Sequence, residues 1–140
     1  MKSVILAGGY GTRLSEESVV RPKPMVEIGG RPILWHIMKI YSAHGINEFI
    51  ICCGYKGEVI KDYFLNYRET ASNDFRLLKG GRDVEMLGTD ISDWTITFVH
   101  TGLTSPIGER LRRVRKYVEG EEVFLANYAD VLTDMPLDDM

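Results

Sequence analysis

Short runs of consecutive apolar residues recur along the chain, and each ends at a glycine or a polar residue. The first, SVILA at 3–7, is followed at once by Gly8, a pattern typical of a strand buried on both faces of a parallel sheet. We predict three further strands, one of them from an alternation of apolar and polar residues (94–100) and the last ending at Asp130. They are 48–54, 94–100 and 123–130.

Between these strands, apolar residues recur at helical spacing, which predicts helices that cover the sheet. The first lies within 29–45, with Pro32 in its first turn and Gly45 as its C-terminal stop. Its predicted apolar face consists of Ile33, Ile37, Ile40 and Tyr41. The other helices are predicted at 57–67 and 107–120. Region 68–93 has mixed polarity and a Gly-Gly pair, and we expect irregular structure or a small hairpin there.

The alternation of strands and helices predicts an α/β fold with an open, mostly parallel, Rossmann-like sheet. In such sheets, ligands bind beyond the carboxyl ends of the strands. Gly8 and the glycines after it follow the first strand, and Asp130 ends a late one. We therefore expect both features at the same edge of the sheet.

The composition limits the possible partners. The chain has 140 residues, 44% of them hydrophobic, which suits one domain, and its net charge of −3 argues against a nucleic-acid partner. Cys52 and Cys53 are adjacent in an apolar run and cannot link distant elements, which favours a reducing compartment. The N-terminal apolar run is too short for a signal peptide, and no run approaches the length of a membrane span. We expect a cytoplasmic domain without a membrane partner.

The glycine-rich stretch ILAGGYGTRL precedes RPKPM, where two prolines stiffen the segment that carries Lys23. Bare backbone amides near Arg13 and Lys23 favour a polyphosphate ligand, although a glycine loop by itself is equally compatible with a structural turn. An NAD-type fingerprint is disfavoured, because Leu14 occupies its third glycine position and prolines follow where a helix should begin. A P-loop is also disfavoured, since no Lys-Ser or Lys-Thr pair follows these glycines.

The opening motif, together with KPMVEIGGRPILWHIMKIYSAHGINEFIICCGYKG, resembles the sugar-1-phosphate nucleotidyltransferases, specifically their cytidylyl-type branch. The resemblance covers 1–61 closely, fades through 68–93 and returns at 94–134. It implies that the chain is one nucleotide-binding domain over 1–140 and forms the N-terminal part of a longer family domain, with a sheet incomplete on its C-terminal side. It also implies Mg²⁺ as cofactor, with CTP and glucose 1-phosphate as the favoured substrates.

The resemblance assigns roles to individual residues. The loop from Leu6 through Ala7, Gly8, Gly9, Tyr10 and Gly11 would hold base and ribose, and Thr12 and Arg13 would meet the triphosphate. Lys23 would contact phosphates and, with Arg13, act in catalysis. Arg110 and Ala129 would contact substrate, and Asp130 would bind Mg²⁺. No side-chain nucleophile is required, because the attacking sugar phosphate is already an anion.

Several positions depart from the family pattern. Ile107 and Glu109 stand where relatives carry threonine and glycine, and Ala129 and Val131 stand where glycines are usual. Family members are also longer, and their second metal-binding aspartate lies beyond the end of this chain. The competing hypothesis is therefore a nucleotide-binding remnant or regulatory module without turnover. An exposed sheet edge leads us to expect a homo-oligomer.

Overall fold

The computed structural model describes residues 1–9, 21–132, 134 and 137. Its strands are β1 (Ser3–Ala7), β2 (Glu27–Ile28), β3 (Arg31–Pro32), β4 (Glu48–Cys53), β5 (Phe75–Leu78), β6 (Asp83–Met86), β7 (Thr95–His100) and β8 (Leu125–Tyr128). Its helices are α1 (Ile33–Ala43), α2 (Gly57–Leu65) and α3 (Ile107–Val118), and short 3₁₀ turns occupy Lys23–Met25, Glu69–Ala71 and Lys79–Gly81.

Four strands form one sheet in the order β7-β4-β1-β8, and every neighbouring pair is parallel. The registers pair Ala7 with Cys53, Cys53 with His100, and Leu6 with Tyr128. The carboxyl ends of all four strands therefore meet at one edge, as the alternating pattern predicts. The predicted α/β fold with an open parallel sheet is confirmed.

Successive residues of β1 face opposite sides of the sheet, and each side has its own core. Ile5 packs into the larger cluster, which α1 and α2 cover, whereas Val4 packs into a smaller cluster with Val114 and Val118 of α3. Each of these β1 side chains is fully buried. The central strands are covered on both faces, which explains their unbroken apolar sequence.

The predicted apolar face of α1 is partly wrong. The buried residues are Leu34, Ile37, Met38 and Tyr41, whereas Ile33 and Ile40 are only half-buried. The helix begins at Ile33, and Pro32 precedes its first turn instead of lying in it. The stripe that meets the sheet is rotated from the predicted one toward Leu34 and Met38, because the run of adjacent apolar residues offers more than one apolar face. Gly45 follows the helix with φ of +82°, as expected of a C-terminal stop.

Region 68–93 contains the small hairpin that its glycine pair suggests. Strands β5 and β6 pair only with each other, and Arg76 forms an ion pair with Glu85 across them. The segment is fastened to the main body at Asp90, whose carboxylate accepts a hydrogen bond from the Tyr67 hydroxyl and pairs with Arg31 at 3.5 Å. Among the described residues, no helix is long and apolar enough to cross a membrane.

Candidate functional site

A cavity of about 420 Å³ lies at the carboxyl edge of the parallel sheet. Its walls come from the ends of β1 and β8, from the 3₁₀ turn at Lys23, and from the start of α3. The lining residues are Leu6, Ala7, Gly8, Gly9, Lys23, Pro24, Ser105, Pro106, Ile107, Arg110, Tyr128, Ala129 and Asp130. The chain thus brings together segments more than 100 residues apart in sequence.

Lys23 and Asp130 face each other within this cavity. The Lys23 Nζ lies 2.7 Å from the Asp130 Oδ2, and both side chains remain about one quarter exposed. Lys23 begins a 3₁₀ turn whose next residues, Pro24 and Met25, are buried. The turn therefore anchors the lysine backbone in the core and leaves the ammonium group at the cavity, as the flanking prolines indicate.

Arg110 is 6% exposed and lies beneath Gly8, where the glycine-rich stretch begins. Its NH2 donates to the Gly8 carbonyl at 3.1 Å and its NH1 to the Thr101 hydroxyl at 2.8 Å. Its Nε donates to the Ser105 carbonyl at 2.9 Å, and NH2 has a longer contact of 3.4 Å with the Leu103 carbonyl. None of these partners carries a negative charge, so the guanidinium leaves a net positive charge beside the cavity.

Two glycines make room for this guanidinium. A Cβ added at Gly8 would overlap the Arg110 guanidinium, and one added at Gly54 would lie 2.8 Å from the Arg110 NH1. The same Gly54 Cβ would lie 2.6 Å from the Gly8 carbonyl oxygen and 2.8 Å from that of Gly102. Neither glycine needs a positive φ, so close packing is the reason for glycine at both positions.

The cavity unites all of the predicted site residues that the structure describes. They are Leu6, Ala7, Gly8, Gly9, Lys23, Arg110, Ala129 and Asp130. The predictions for Tyr10, Gly11, Thr12 and Arg13 lie outside the described residues.

Sequence reasoning did not assign a role to Pro24, Ser105, Pro106 or Tyr128, which also line the cavity. Their closeness to Lys23, Arg110 and Ala129 in sequence was the available signal. Thr101 and Gly54 were missed as well, and no local pattern distinguishes them from ordinary residues at strand ends.

Two residues of α3, Ile107 and Glu109, depart from the family pattern, and they differ in their structural consequences. Ile107 lines the cavity, so an apolar side chain is part of its wall. Glu109 accepts hydrogen bonds from Arg112 at 2.8 Å and from Arg113 at 3.0 Å. These two bonds lower the pKa of the Glu109 carboxyl to about 2. Its negative charge is therefore offset locally by two arginines.

The departures after β8 also differ from each other. Ala129 is buried, and its N–H donates to the Leu6 carbonyl at 3.2 Å, so its methyl group fills part of the wall. Val131 is exposed and does not line the cavity. Only the first of these two substitutions acts directly on the shape of the site.

Asp130 is the carboxylate that the cavity offers to a cation. Within the part of the chain that the structure describes, no group of three or more His, Cys, Asp or Glu side chains could hold a metal. One carboxylate beside an open cavity fits Mg²⁺, which proteins commonly bind through one or two carboxylates plus substrate phosphates.

The two cysteines do not line the cavity. Burial raises the pKa of the Cys52 thiol to about 12 and that of the Cys53 thiol to about 11, so both thiols stay protonated at neutral pH.

Comparison with known proteins identifies the family. Residues 2–86 match the family model described as Nucleotidyl transferase, and the chain belongs to this family. It is 56% identical over 98% of its length to the glucose-1-phosphate cytidylyltransferase of Salmonella typhimurium, covering 53% of that protein. It is 49% identical, with the same coverage, to the probable glucose-1-phosphate cytidylyltransferase of Bacillus subtilis.

The fold is also that of solved nucleotidyltransferase structures. The UTP-bound UGPase of Acinetobacter baumannii superimposes with a TM-score of 0.71 at 22% identity, over 97% of this chain and 47% of that one. The chain spans about half the length of the curated relatives it matches. The parallel sheet thus corresponds to part of a longer family architecture.

Proposed function

We propose that the chain is the nucleotide-binding part of a glucose-1-phosphate cytidylyltransferase that works in the cytoplasm. The names of its relatives in Salmonella and Bacillus support CTP and glucose 1-phosphate as substrates. A phosphate oxygen of glucose 1-phosphate would attack the α-phosphorus of CTP. The bond from that phosphorus to the bridging oxygen of pyrophosphate breaks, which gives CDP-glucose and pyrophosphate.

The observation that carries this proposal is the charged cavity behind the glycine loop, where Lys23 and Asp130 meet at 2.7 Å. Lys23 would turn from Asp130 to the phosphates and offset charge in the transition state, and Arg13 would do the same from the loop. Phosphoryl-type transfer depends mostly on such positioning and charge neutralisation. The backbone from Leu6 to Gly11 would hold the base and ribose.

Asp130 would hold Mg²⁺ together with phosphate oxygens of the nucleotide. Bound there, the ion would neutralise phosphate charge and orient the reacting group. The Asp130 carboxylate is paired with Lys23 in this structure, so metal binding requires that the pair opens. We therefore expect little metal binding before nucleotide is bound.

The test is titration calorimetry with CTP, with and without Mg²⁺, on the parent chain and on Asp130→Asn. We expect Mg²⁺ to tighten CTP binding by roughly tenfold in the parent, in line with one charge-assisted contact, and to have no effect in Asp130→Asn. Asp93→Asn, at an exposed position, is the matched control. If neither Mg²⁺ nor Asp130→Asn changes the affinity for CTP, Asp130 is not the ligand of Mg²⁺.

A regulatory or remnant nucleotide-binding module is the second candidate, because Asp130 is the one carboxylate among the described residues that line the cavity. Thermal-shift titration with CTP, dTTP and NAD separates nucleotide classes, since a ligand that binds only the folded form stabilises it. Stabilisation by CTP supports the cytidylyl assignment, and stabilisation by NAD alone would contradict it. Release of pyrophosphate from CTP and glucose 1-phosphate then distinguishes an enzyme from a nucleotide-binding module without turnover.

We also expect a homo-oligomer, which analytical ultracentrifugation of the purified chain tests.

A further inference from the structure

We infer that Arg110 is a positioning residue, which orients the Gly8–Gly9 peptide so that its amide faces the bound nucleotide. This inference rests on the proposed nucleotide site but concerns how the site is held in shape. It assigns supporting roles to Thr101 and Gly54, two positions that lie outside the cavity wall.

Most hydrogen-bond donors of Arg110 are used within the protein. A guanidinium has five N–H groups. Four of them are directed at Gly8, Thr101, Leu103 and Ser105. At most one donor remains for a ligand. The side chain is thus committed mainly to the protein itself, although it borders the cavity.

The hydrogen bonds of Arg110 join segments that follow different strands of the sheet. Gly8 follows β1 and Thr101 follows β7. The fully buried Thr101 hydroxyl accepts from Arg110 and donates to the Cys53 carbonyl at the end of β4 at 2.9 Å. Arg110 on α3 therefore connects the carboxyl ends of three parallel strands. Such a connected polar network fixes the relative positions of its members.

The Gly8–Gly9 peptide is held in one direction by hydrogen bonds to its carbonyl. Its carbonyl accepts from Arg110 at 3.1 Å and from the Tyr55 N–H at 3.4 Å. No described peptide bond is cis, and in a trans peptide the N–H points opposite to the carbonyl. The Gly9 N–H is therefore directed away from the buried guanidinium, and Gly9 is exposed and lines the cavity.

Gly54 keeps this arrangement possible. A methyl group there would press on the Gly8 oxygen, the Gly102 oxygen and the Arg110 NH1 at 2.6–2.8 Å. Two of these three atoms belong to backbone, which cannot move aside cheaply. Gly54→Ala should therefore turn the Gly8–Gly9 peptide without removing any group that touches ligand.

The experiment compares three variants with a matched control by calorimetry with CTP and with cytidine. Gly54→Ala disturbs the packing against the Gly8 and Gly102 carbonyl oxygens. Thr101→Val removes the side-chain hydroxyl at nearly constant volume. Arg110→Lys keeps the positive charge but loses the planar guanidinium with its several N–H donors. Gly108→Ala is the control, because its added Cβ would have no atom within 4 Å. Thermal unfolding checks that each variant is folded.

We expect Gly54→Ala and Arg110→Lys to lower the affinity for CTP and the affinity for cytidine by the same factor, roughly tenfold. Thr101→Val should follow with a smaller but equally proportioned loss, and Gly108→Ala should match the parent. If Gly54→Ala does not fold, Thr101→Val decides. A loss confined to CTP would mean that Arg110 contacts phosphate directly, and parent-like affinity in Arg110→Lys would mean that only its charge matters. Either result overturns the inference.

A second readout needs no ligand. In ¹⁵N–¹H spectra, the Gly9 amide resonance should shift in Arg110→Lys and in Thr101→Val but not in Gly108→Ala. If the parent chain binds no CTP, the proposed function is wrong. The positioning role of Arg110 is then tested by the Gly9 amide resonance alone. An unmoved Gly9 resonance in both variants would contradict it.

Discussion

Arg110 and Arg31 are both held by groups distant in sequence, yet their surroundings differ. The Arg31 guanidinium lies 3.5 Å from the Asp90 carboxylate, donates to the Tyr63 hydroxyl, and stacks 4.8 Å from the ring centre of Tyr67. Arg110 is more deeply buried, but its hydrogen-bond partners among the described residues are all neutral. The Arg31 guanidinium is thus paired with a carboxylate, whereas Arg110 retains its positive charge next to a cavity.

This difference separates structural charges from functional ones. A cation already paired with a carboxylate gains little from a further anion, so the Arg31 cluster fastens region 68–93 to the helices. A buried cation with neutral partners gains from an anion that enters the neighbouring cavity. We expect substitutions in the Arg31 cluster to change stability, and substitutions at the cavity to change ligand affinity.

The largest expected effect is at the cavity. Lys23→Ala should weaken CTP binding by about 1.5–3 kcal/mol, or roughly 10- to 100-fold, because a charge-assisted contact to phosphate is lost. Cytidine binding should be unchanged, and urea unfolding should shift by less than about 1 kcal/mol, since the pair with Asp130 is partly exposed. Lys79→Ala, which breaks an exposed pair with Asp83, serves as the control. Equal losses for cytidine and CTP would make Lys23 structural.

The second largest effect is expected in the Arg31 cluster, on the stability of the fold. Arg31→Met removes the hydrogen bond to Tyr63, the ion pair with Asp90 and the cation–π contact with Tyr67. We expect the free energy of unfolding to fall by about 2 kcal/mol and CTP affinity to stay within about twofold, a change below about 0.5 kcal/mol. Arg76→Met, in the exposed pair with Glu85, should cost little by comparison. A large loss of CTP affinity in Arg31→Met would remove the distinction between the two regions.

The smallest effect is pH-dependent. Burial alone would raise the pKa of the Asp90 carboxyl, but hydrogen bonds from Ser72 and Tyr67 and the charge of Arg31 lower it below its usual value of 3.8. A lowered pKa in the folded state stabilises the fold above that usual value, and this contribution is lost as the pH falls through the folded-state pKa.

Urea unfolding of the parent and of Asp90→Asn should therefore differ at pH 7 by less than about 1 kcal/mol. The difference should shrink as the pH drops below the usual carboxyl value. CTP binding should not distinguish the two proteins at pH 7. A stability difference that grows on acidification would have the wrong sign for this account.

The sequence alone determined the elements and the general place of the site. Unbroken apolar runs marked β1 and β4, because strands covered on both faces have no solvent side that would require polar residues. The glycines after β1 and Asp130 after β8 had to share one sheet edge once the strands were parallel. The rotation of α1 was missed, because several adjacent apolar residues made more than one helical face plausible.

Which side chains meet depends on tertiary packing. Arg110 lies beneath Gly8, and Lys23 pairs with Asp130, each across more than 100 residues of chain. Such contacts depend on the order of strands, on their registers and on the direction of each side chain. Local pattern specifies none of these. The need for glycine at position 54 arises only where three strand ends and one guanidinium are packed together, because close packing of distant backbone leaves no local signature in the sequence.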